Sequence, residues 1–282
     1  MNFHLPTAEI FIPDGLPVEQ ALARTTHIAI AAHQDDIEIM AAAPIIECFQ
    51  QMDRWFSGVV VTDGRGSPRA DIYQNYTDEA MRQVRFKEQK KAAIVGEFAA
   101  LALLDYPSKS VKDGRNPQPV EDLAALLCAA HPQFVYTHNL ADKHDTHVGV
   151  ALKVIAALRS LPAEEHPQKV YGCEVWRDLD WMVDSDKVGM NLSQHENLQS
   201  ALLGVFDSQI AGGKRYDLAS MGRRRANATY FESHGVDNAF GLSYAMDLTP
   251  LIENPQQDVA AFVQEHIQRF AQDVASRLQR VG

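Results

Sequence analysis

From residue 26 onwards, short apolar runs alternate with amphipathic stretches. The run His27-Ile28-Ala29-Ile30-Ala31-Ala32 is apolar at nearly every position, the signature of a strand covered on both faces. Trp55–Thr62, centred on Val59-Val60-Val61, predicts a second such strand, Ala100–Leu104 a third, Phe134–Thr137 a fourth and Val170–Trp176 a fifth. Between them the period changes to that of helices, over about Asp36–Gln51, from an N-cap at Thr77 to near Gly96, over Val120–Ala130 and over Val148–Leu158. Asp63–Tyr76, with Gly64, Gly66 and Pro68, reads as a polar loop, and so does Leu161–Pro167. Strand–helix alternation of this kind predicts an α/β fold: a Rossmann-like, doubly wound, mostly parallel sheet with helices on both faces.

After residue 177 the pattern is weaker: helices near 193–206 and 214–229, and a strand near 241–246. The last segment is plain. Val259, Val263, Ile267, Phe270, Val274 and Leu278 form one apolar stripe at helical spacing, expected to pack within the chain, with a homo-oligomer as the other outcome. The expected organisation is one α/β domain over residues 1–282, in which residues 177–282 form a variable, substrate-side and helical extension.

Composition narrows the function classes. The chain has 282 residues, 46% of them hydrophobic, and a net charge of −11 with histidine neutral. That balance argues against a nucleic-acid partner, which needs a basic face. Cys48, Cys128 and Cys173 are too scattered for a disulfide framework or a metal clip, as expected of thiols in a reducing compartment. The first 24 residues lack a basic head and apolar core, and no apolar run approaches the ~20 residues of a bilayer span. The expectation is a cytoplasmic protein without a membrane span.

Two polar clusters interrupt this pattern, each at the carboxyl end of a predicted strand. The first is His33-Gln34-Asp35-Asp36, the second runs from His138 to His147 and contains Asp142, His144, Asp145 and His147. An aspartate where a strand turns into a helix is commonly an N-cap. Capping accounts for one of the two carboxylates, not for a histidine and a second acid beside it. In a sheet ordered 3-2-1-4-5 the first and fourth strands are neighbours, so the two turns converge on one crevice. Histidine, aspartate and histidine are a recognised catalytic zinc set with a position left open for water.

The residues at this point resemble a family. Ala32-His33-Gln34-Asp35-Asp36 with His144-Asp145-Thr146-His147 is similar to the PIG-L/LmbE de-N-acetylases, whose first motif reads Ala-His-Pro-Asp-Asp-Glu and whose second ends in His-x-x-His. The likeness extends through Thr62–Gly66, the pair Arg85 and Glu88, and Leu104–Pro107, covering residues 26 to 160; Tyr171–Trp176, Arg223–Ala226 and Tyr244-Ala245 fit loosely. The resemblance implies that His33, Asp36 and His147 bind Zn2+ or another divalent metal, that Asp35 is the general base, and that His144 stabilises the oxyanion or protonates the leaving amine. It departs at Gln34, in place of proline, at Ile37, in place of glutamate, and at Asp145-Thr146, in place of Pro-Asp; Asp145 or Asp142 is then the candidate to tune His144. Glu88 falls on the apolar stripe of its helix, so a supporting ion pair with Arg85 is expected. Arg65, in a glycine-rich loop, is the candidate for holding substrate. Trp176, Trp181, Tyr230 and His234 could line a sugar pocket, with core or surface roles preferred for each.

The reaction implied is removal of an N-acetyl group from an N-acetylglucosamine conjugate or related amino sugar. The alternatives are a zinc amidase cutting a different amide, such as a thiol conjugate, and a non-catalytic sugar- or metal-binding protein of the same fold. A dinucleotide-binding oxidoreductase is disfavoured, because the first strand runs into His-Gln-Asp-Asp rather than a glycine-rich fingerprint.

Overall fold

The computed structural model describes residues 1–282. Eight strands form one sheet: β1 (Glu9–Phe11), β2 (His27–Ala31), β3 (Phe56–Thr62), β4 (Ala100–Tyr106), β5 (Phe134–His138), β6 (Lys169–Cys173), β7 (Lys187–Asn191) and β8 (Leu242–Asp247). Their order is β1-β4-β3-β2-β5-β6-β8-β7. The five strands from β4 to β6 are parallel, while β1 at one edge and β8 and β7 at the other pair antiparallel. The expected α/β class is therefore the observed one, and β2 and β5 are neighbours, in register from His27 opposite Phe134 to Ala29 opposite Tyr136.

Alternation along the strands assigns the two faces. Ile28, Ile30, Val59, Val61, Ala102 and Leu104 face one buried cluster with Leu123, Leu127, Val150 and Val154. Those four belong to α6 (Gln118–Ala130) and α7 (Asp145–Ser160). Ala29, Ala31, Val60, Leu101 and Leu103 face the other cluster, with Ile37, Ile45, Phe86 and Leu202. The elements on that side are α2 (Asp36–Met40), α3 (Ala42–Cys48), α4 (Asp78–Val95) and α8 (Glu196–Gly204). Two covered faces explain why the parallel strands are apolar at almost every position.

Two expectations change. The helix expected over 36–51 is two, broken at Ala41 (φ −114°). Pro44 has no N–H to return to the carbonyl of Met40, so the ladder cannot run through. The C-terminal stripe does not pack within the chain along its length. In α12 (Val259–Val281) only Phe262 and His266 are buried, while Ile267, Phe270, Val274 and Leu278 are exposed. Beyond His266 the recorded tie to the body is Arg269 to Asp186 at 2.6 Å. Edge strands β1 and β7 and the short helices α1 (Val18–Ala23), α5 (Ser108–Lys112), α9 (Asp207–Ile210) and α11 (Thr249–Glu253) were not anticipated; α10 (Tyr216–Tyr230) was. No helix is long and apolar enough to cross a membrane.

Candidate metal centre

The carboxyl ends of β2 and β5 flank the point where strand order reverses, the crevice in which open α/β sheets bind ligands. The chain leaves β2 through Ala32, whose carbonyl accepts from the Thr62 backbone at 2.9 Å and the Thr62 hydroxyl at 2.7 Å. It then turns sharply. Asp35 adopts φ +96°, a conformation that costs a non-glycine residue of order 1–3 kcal/mol and persists only where surroundings enforce it. Here they do. The Asp35 N–H donates to Gln89 Oε1 at 3.2 Å, and Gln89 Nε2 in turn donates to Glu38 Oε1 at 2.7 Å. Gln34, fully buried where the family motif has proline, donates to the Thr62 carbonyl at 3.1 Å and accepts at its own carbonyl from Arg85. Gly64 (φ +68°) passes so close to the Gln34 side chain and Arg85 that no Cβ fits.

This turn places Asp36 at the start of α2 and His33 above it. Asp36 Oδ2 accepts from the His33 backbone N–H at 2.8 Å and lies 3.1 Å from His33 Nδ1 and 3.2 Å from His147 Nε2; those two nitrogens are 3.2 Å apart. All three ligand atoms fall within 4.8 Å of one another. His147, in the first turn of α7, is fully buried and presents its other ring nitrogen to Asp142 Oδ2 at 3.5 Å. A histidine ligand backed by a carboxylate is the usual outer support of a metal site.

The charges fit a cation. Burial works against ionisation of Asp36, but His147 and His33 outweigh it and hold the carboxyl well below the usual range. Burial likewise disfavours charge on His147, yet Asp36 and Asp142 raise it to about 9. In the protein alone, the Asp36–His147 contact thus favours a protonated imidazole against an ionised carboxylate, and binding of a cation there would have to displace that proton. Burial pushes Asp35 up to about 8, against the pull of Arg85, whose Nη2 lies 3.5 Å from Asp35 Oδ2.

His144 is the residue before α7, its ring stacked on His147 (centroids 4.6 Å) and edge-on to His33 (5.1 Å). Burial, then His147, lowers its pKa, so the ring is held neutral. Neither suggested carboxylate contacts that ring. Asp142 accepts from the His144 backbone N–H at 3.0 Å and serves His147 instead, while Asp145 is exposed at the head of the helix. Thr146 is buried at the position of the family's aspartate.

The expected Arg85–Glu88 ion pair is not formed. Arg85 turns to Ser67, Gln34 and Asp35, and Glu88 accepts from the Ser208 backbone N–H (2.8 Å) and hydroxyl (2.6 Å), mooring α9. The two side chains, adjacent in helical position, point to different partners because each finds a better-aligned donor or acceptor. Arg65 pairs with Asp63 at 3.1 Å and Glu79 at 3.2 Å and does not line the cleft. The cleft, about 430 Å³, is lined by His33, Asp35, Asp36 and His144 and by Arg85, Lys112, Lys214, Trp176 and Tyr216 among others. Of the four aromatic or histidine candidates, Trp176 reaches it; Trp181 packs against the core, and Tyr230 and His234 are exposed.

Sequence reasoning assigned no role to His138, Glu38 or Gln89. His138 is fully buried, accepts at Nε2 from the Ala32 N–H at 2.8 Å and lies 3.6 Å from Asp36. The signal for Gln89 was present: Arg85, Glu88 and Gln89 all fall on the buried side of α4, too many polar groups for a core face without a task.

Known structures of similar fold include the 4-carboxy-2-hydroxymuconate hydratase of Pseudomonas putida, with 14% identity over 79% of this chain and 96% of that one and a TM-score of 0.59. The conserved protein TT1542 of Thermus thermophilus shares 17% identity over 83% and 100%, TM-score 0.60. The N,N'-diacetylchitobiose deacetylase of Pyrococcus horikoshii shares 16% over 78% and 83%, TM-score 0.54. At such identities the likeness is one of fold. No curated protein matches the chain. The family model described as PIG-L: GlcNAc-PI de-N-acetylase matches residues 28–158, from β2 through α7, the stretch that carries both polar turns. Through those residues the chain is similar to the PIG-L family, as the two polar turns had implied.

Proposed function

We propose that this protein is a metal-dependent de-N-acetylase acting on an N-acetylglucosamine conjugate or a related N-acylated amino sugar. The observation that carries the reading is the convergence of His33, Asp36 and His147, with Asp35 beside them on one cleft wall, inside a PIG-L domain. The deacetylase among the solved neighbours is consistent with it. His33, Asp36 and His147 would hold the cation, which we assign as zinc from two imidazoles and one carboxylate. When bound, such an ion supplies a lowered water pKa and polarisation of the acyl oxygen.

The chain's own groups do the rest. Asp35 takes a proton from the attacking water, whose oxygen adds to the acyl carbon. Arg85 and Gln89 hold Asp35 in place. His144, neutral and lining the same cleft, can donate its N–H to the developing oxyanion. The C–N bond then breaks, its electrons remain on nitrogen, and the proton that Asp35 took from the water passes to that nitrogen, leaving a free amine and acetate. Trp176, Gln209, Lys214 and Tyr216, three of them from beyond residue 177, line the cleft and would contact the sugar.

The test is acetate release from a panel of N-acetylated sugars and amides by the zinc-loaded protein. Chelation should abolish release and zinc restore it; Asp35→Ala should lose at least about a hundredfold in kcat while keeping its metal, and His147→Ala should lose stoichiometric zinc. Near-wild-type turnover by Asp35→Ala would remove the assigned base, and full occupancy in His147→Ala would remove the ligand set.

A further inference from the structure

The longest helix of the molecule, α12, is engaged along one side of its first half and bare along another. Phe262, His266 and Arg269 face the body, the first two buried and the third paired with Asp186. At about 100° per residue, Ile267, Phe270, Val274, Leu278 and Val281 gather roughly a quarter-turn round from that line. These five are between 37% and 85% exposed, and from Val274 onwards every residue of the helix is exposed. The exposures amount to roughly 500 Å² of apolar side chain, towards the upper end of what a monomer leaves bare in one patch. Two such faces laid together would remove on the order of 1,000 Å² from water, which is where specific interfaces begin.

The flanks of the stripe say what fits it. On one side stand Asp273 and Arg277, which already pair within the helix at 2.7 Å; on the other stand Ala271 and Ala275, small enough for a second helix axis to come close. The far side carries Gln264, Gln268, Gln272, Ser276 and Gln279, neutral where a helix lying on a lipid surface carries Lys and Arg, and a chain of net charge −11 is repelled by anionic lipid. We infer that α12 is a dimerisation helix, its stripe from Ile267 to Val281 packed antiparallel on the same stripe of a second copy of this chain, about a point near Val274. There Arg277 of each copy comes opposite Asp273 of the other, whereas a parallel pair would set acid on acid and base on base. Antiparallel packing also sets each body past the end of the other's helix, because the ties to the body, from Phe262 to Arg269, lie at the end away from Val281. No residue of α12 lines the cleft, so pairing and the proposed reaction are tested separately.

Sedimentation equilibrium of the full chain, from about 1 to 100 μM, should show the mass rising from that of one chain to that of two, as an interface of this size gives. In the variant F270E/L278E the dissociation constant should rise at least about a hundredfold, since carboxylates would enter the centre of the contact. Both side chains are exposed in the single chain, so the fold should survive, and circular dichroism checks it. R277D alone sets acid against acid and should weaken pairing about tenfold, while D273R/R277D restores opposite charges and should recover it. A chain that stays monomeric throughout overturns the inference, in favour of a lipid surface if it co-sediments with phosphatidylglycerol vesicles. A dimer that survives F270E/L278E uses another face, and one indifferent to R277D is not antiparallel; either result removes the inference.

Discussion

Asp35 and Asp36 are adjacent, both buried, and end with opposite tendencies: one carboxyl is pushed up to about 8 and the other is held well below its usual range. What separates them is the positive φ of Asp35, which turns it towards Arg85 while Asp36 faces the two histidines. Gln89 and Glu38 sustain that backbone. Gln89→Leu should therefore keep zinc yet lose about ten- to a hundredfold in kcat, with little change in KM, because an ångström-scale misplacement of a base is felt in the chemical step. Gln89→Glu, which again offers an acceptor to the Asp35 N–H, should recover part of the loss; unchanged kcat in Gln89→Leu would dismiss the positioning role. The convergence of His33, Asp36 and His147 was legible in sequence because a His/Asp cluster at a strand end has little structural use. Gln89 and Glu38 were not, since their partners lie in a backbone conformation that no residue pattern announces. Arg85 and Glu88 misled for a related reason: helical spacing shows which side chains can meet, not which partners outside the helix compete for them.

The elements most easily read were those whose pattern follows burial on both sides, β2 to β6 with α4, α6 and α7. Pro44 was a visible breaker within the first helical stretch, and its effect fell where the missing N–H places it, at Met40 and Ala41. The short edge strands and α9 carry no periodicity to detect. Glu88 shows what holds such a piece: one buried carboxylate takes two hydrogen bonds from Ser208, and the neighbouring Gln209 lines the cleft. Glu88→Leu should cost about 1–3 kcal/mol, by leaving the Ser208 donors without acceptors, and should raise KM more than it lowers kcat. Chemical denaturation and steady-state kinetics check both, and an unchanged KM would detach α9 from the site. In α12 the apolar period was legible but its cover was not, because periodicity tells which face is apolar and not whether anything lies against it.

Over the whole molecule, residues distant in sequence are joined by buried polar knots. Glu174 accepts from the Leu179 N–H (3.1 Å), the Asn227 side chain (2.6 Å) and the Tyr244 N–H (3.1 Å), tying the end of β6 to α10 and β8. At the other side His4 bridges Asp122 (2.8 Å) and Glu121 (3.0 Å) on α6. Its hydrogen bond to Asp122, with the nearby acids, raises its pKa above 6.5. A raised value means that this tether contributes fully below pH 6.5 and is lost as pH climbs through the folded-state value. NMR titration of the His4 ring should show a midpoint above 6.5, and one at or below it would dismiss the tether.

That tether holds the segment leading to β1, and β1 has a consequence for colloidal behaviour. Three residues, Glu9–Phe11, are all that cover the outer edge of β4 at Leu101–Leu103. Without them a row of unpaired amides and carbonyls, flanked by leucines, would lie open for strands of other molecules to join. Removing residues 1–12 should leave the His33, Asp36 and His147 cluster untouched and yet make the protein scatter light on standing at concentrations where the full chain stays clear. The smallest strand of the sheet thus closes the one edge of β4 at which strands of other molecules could join.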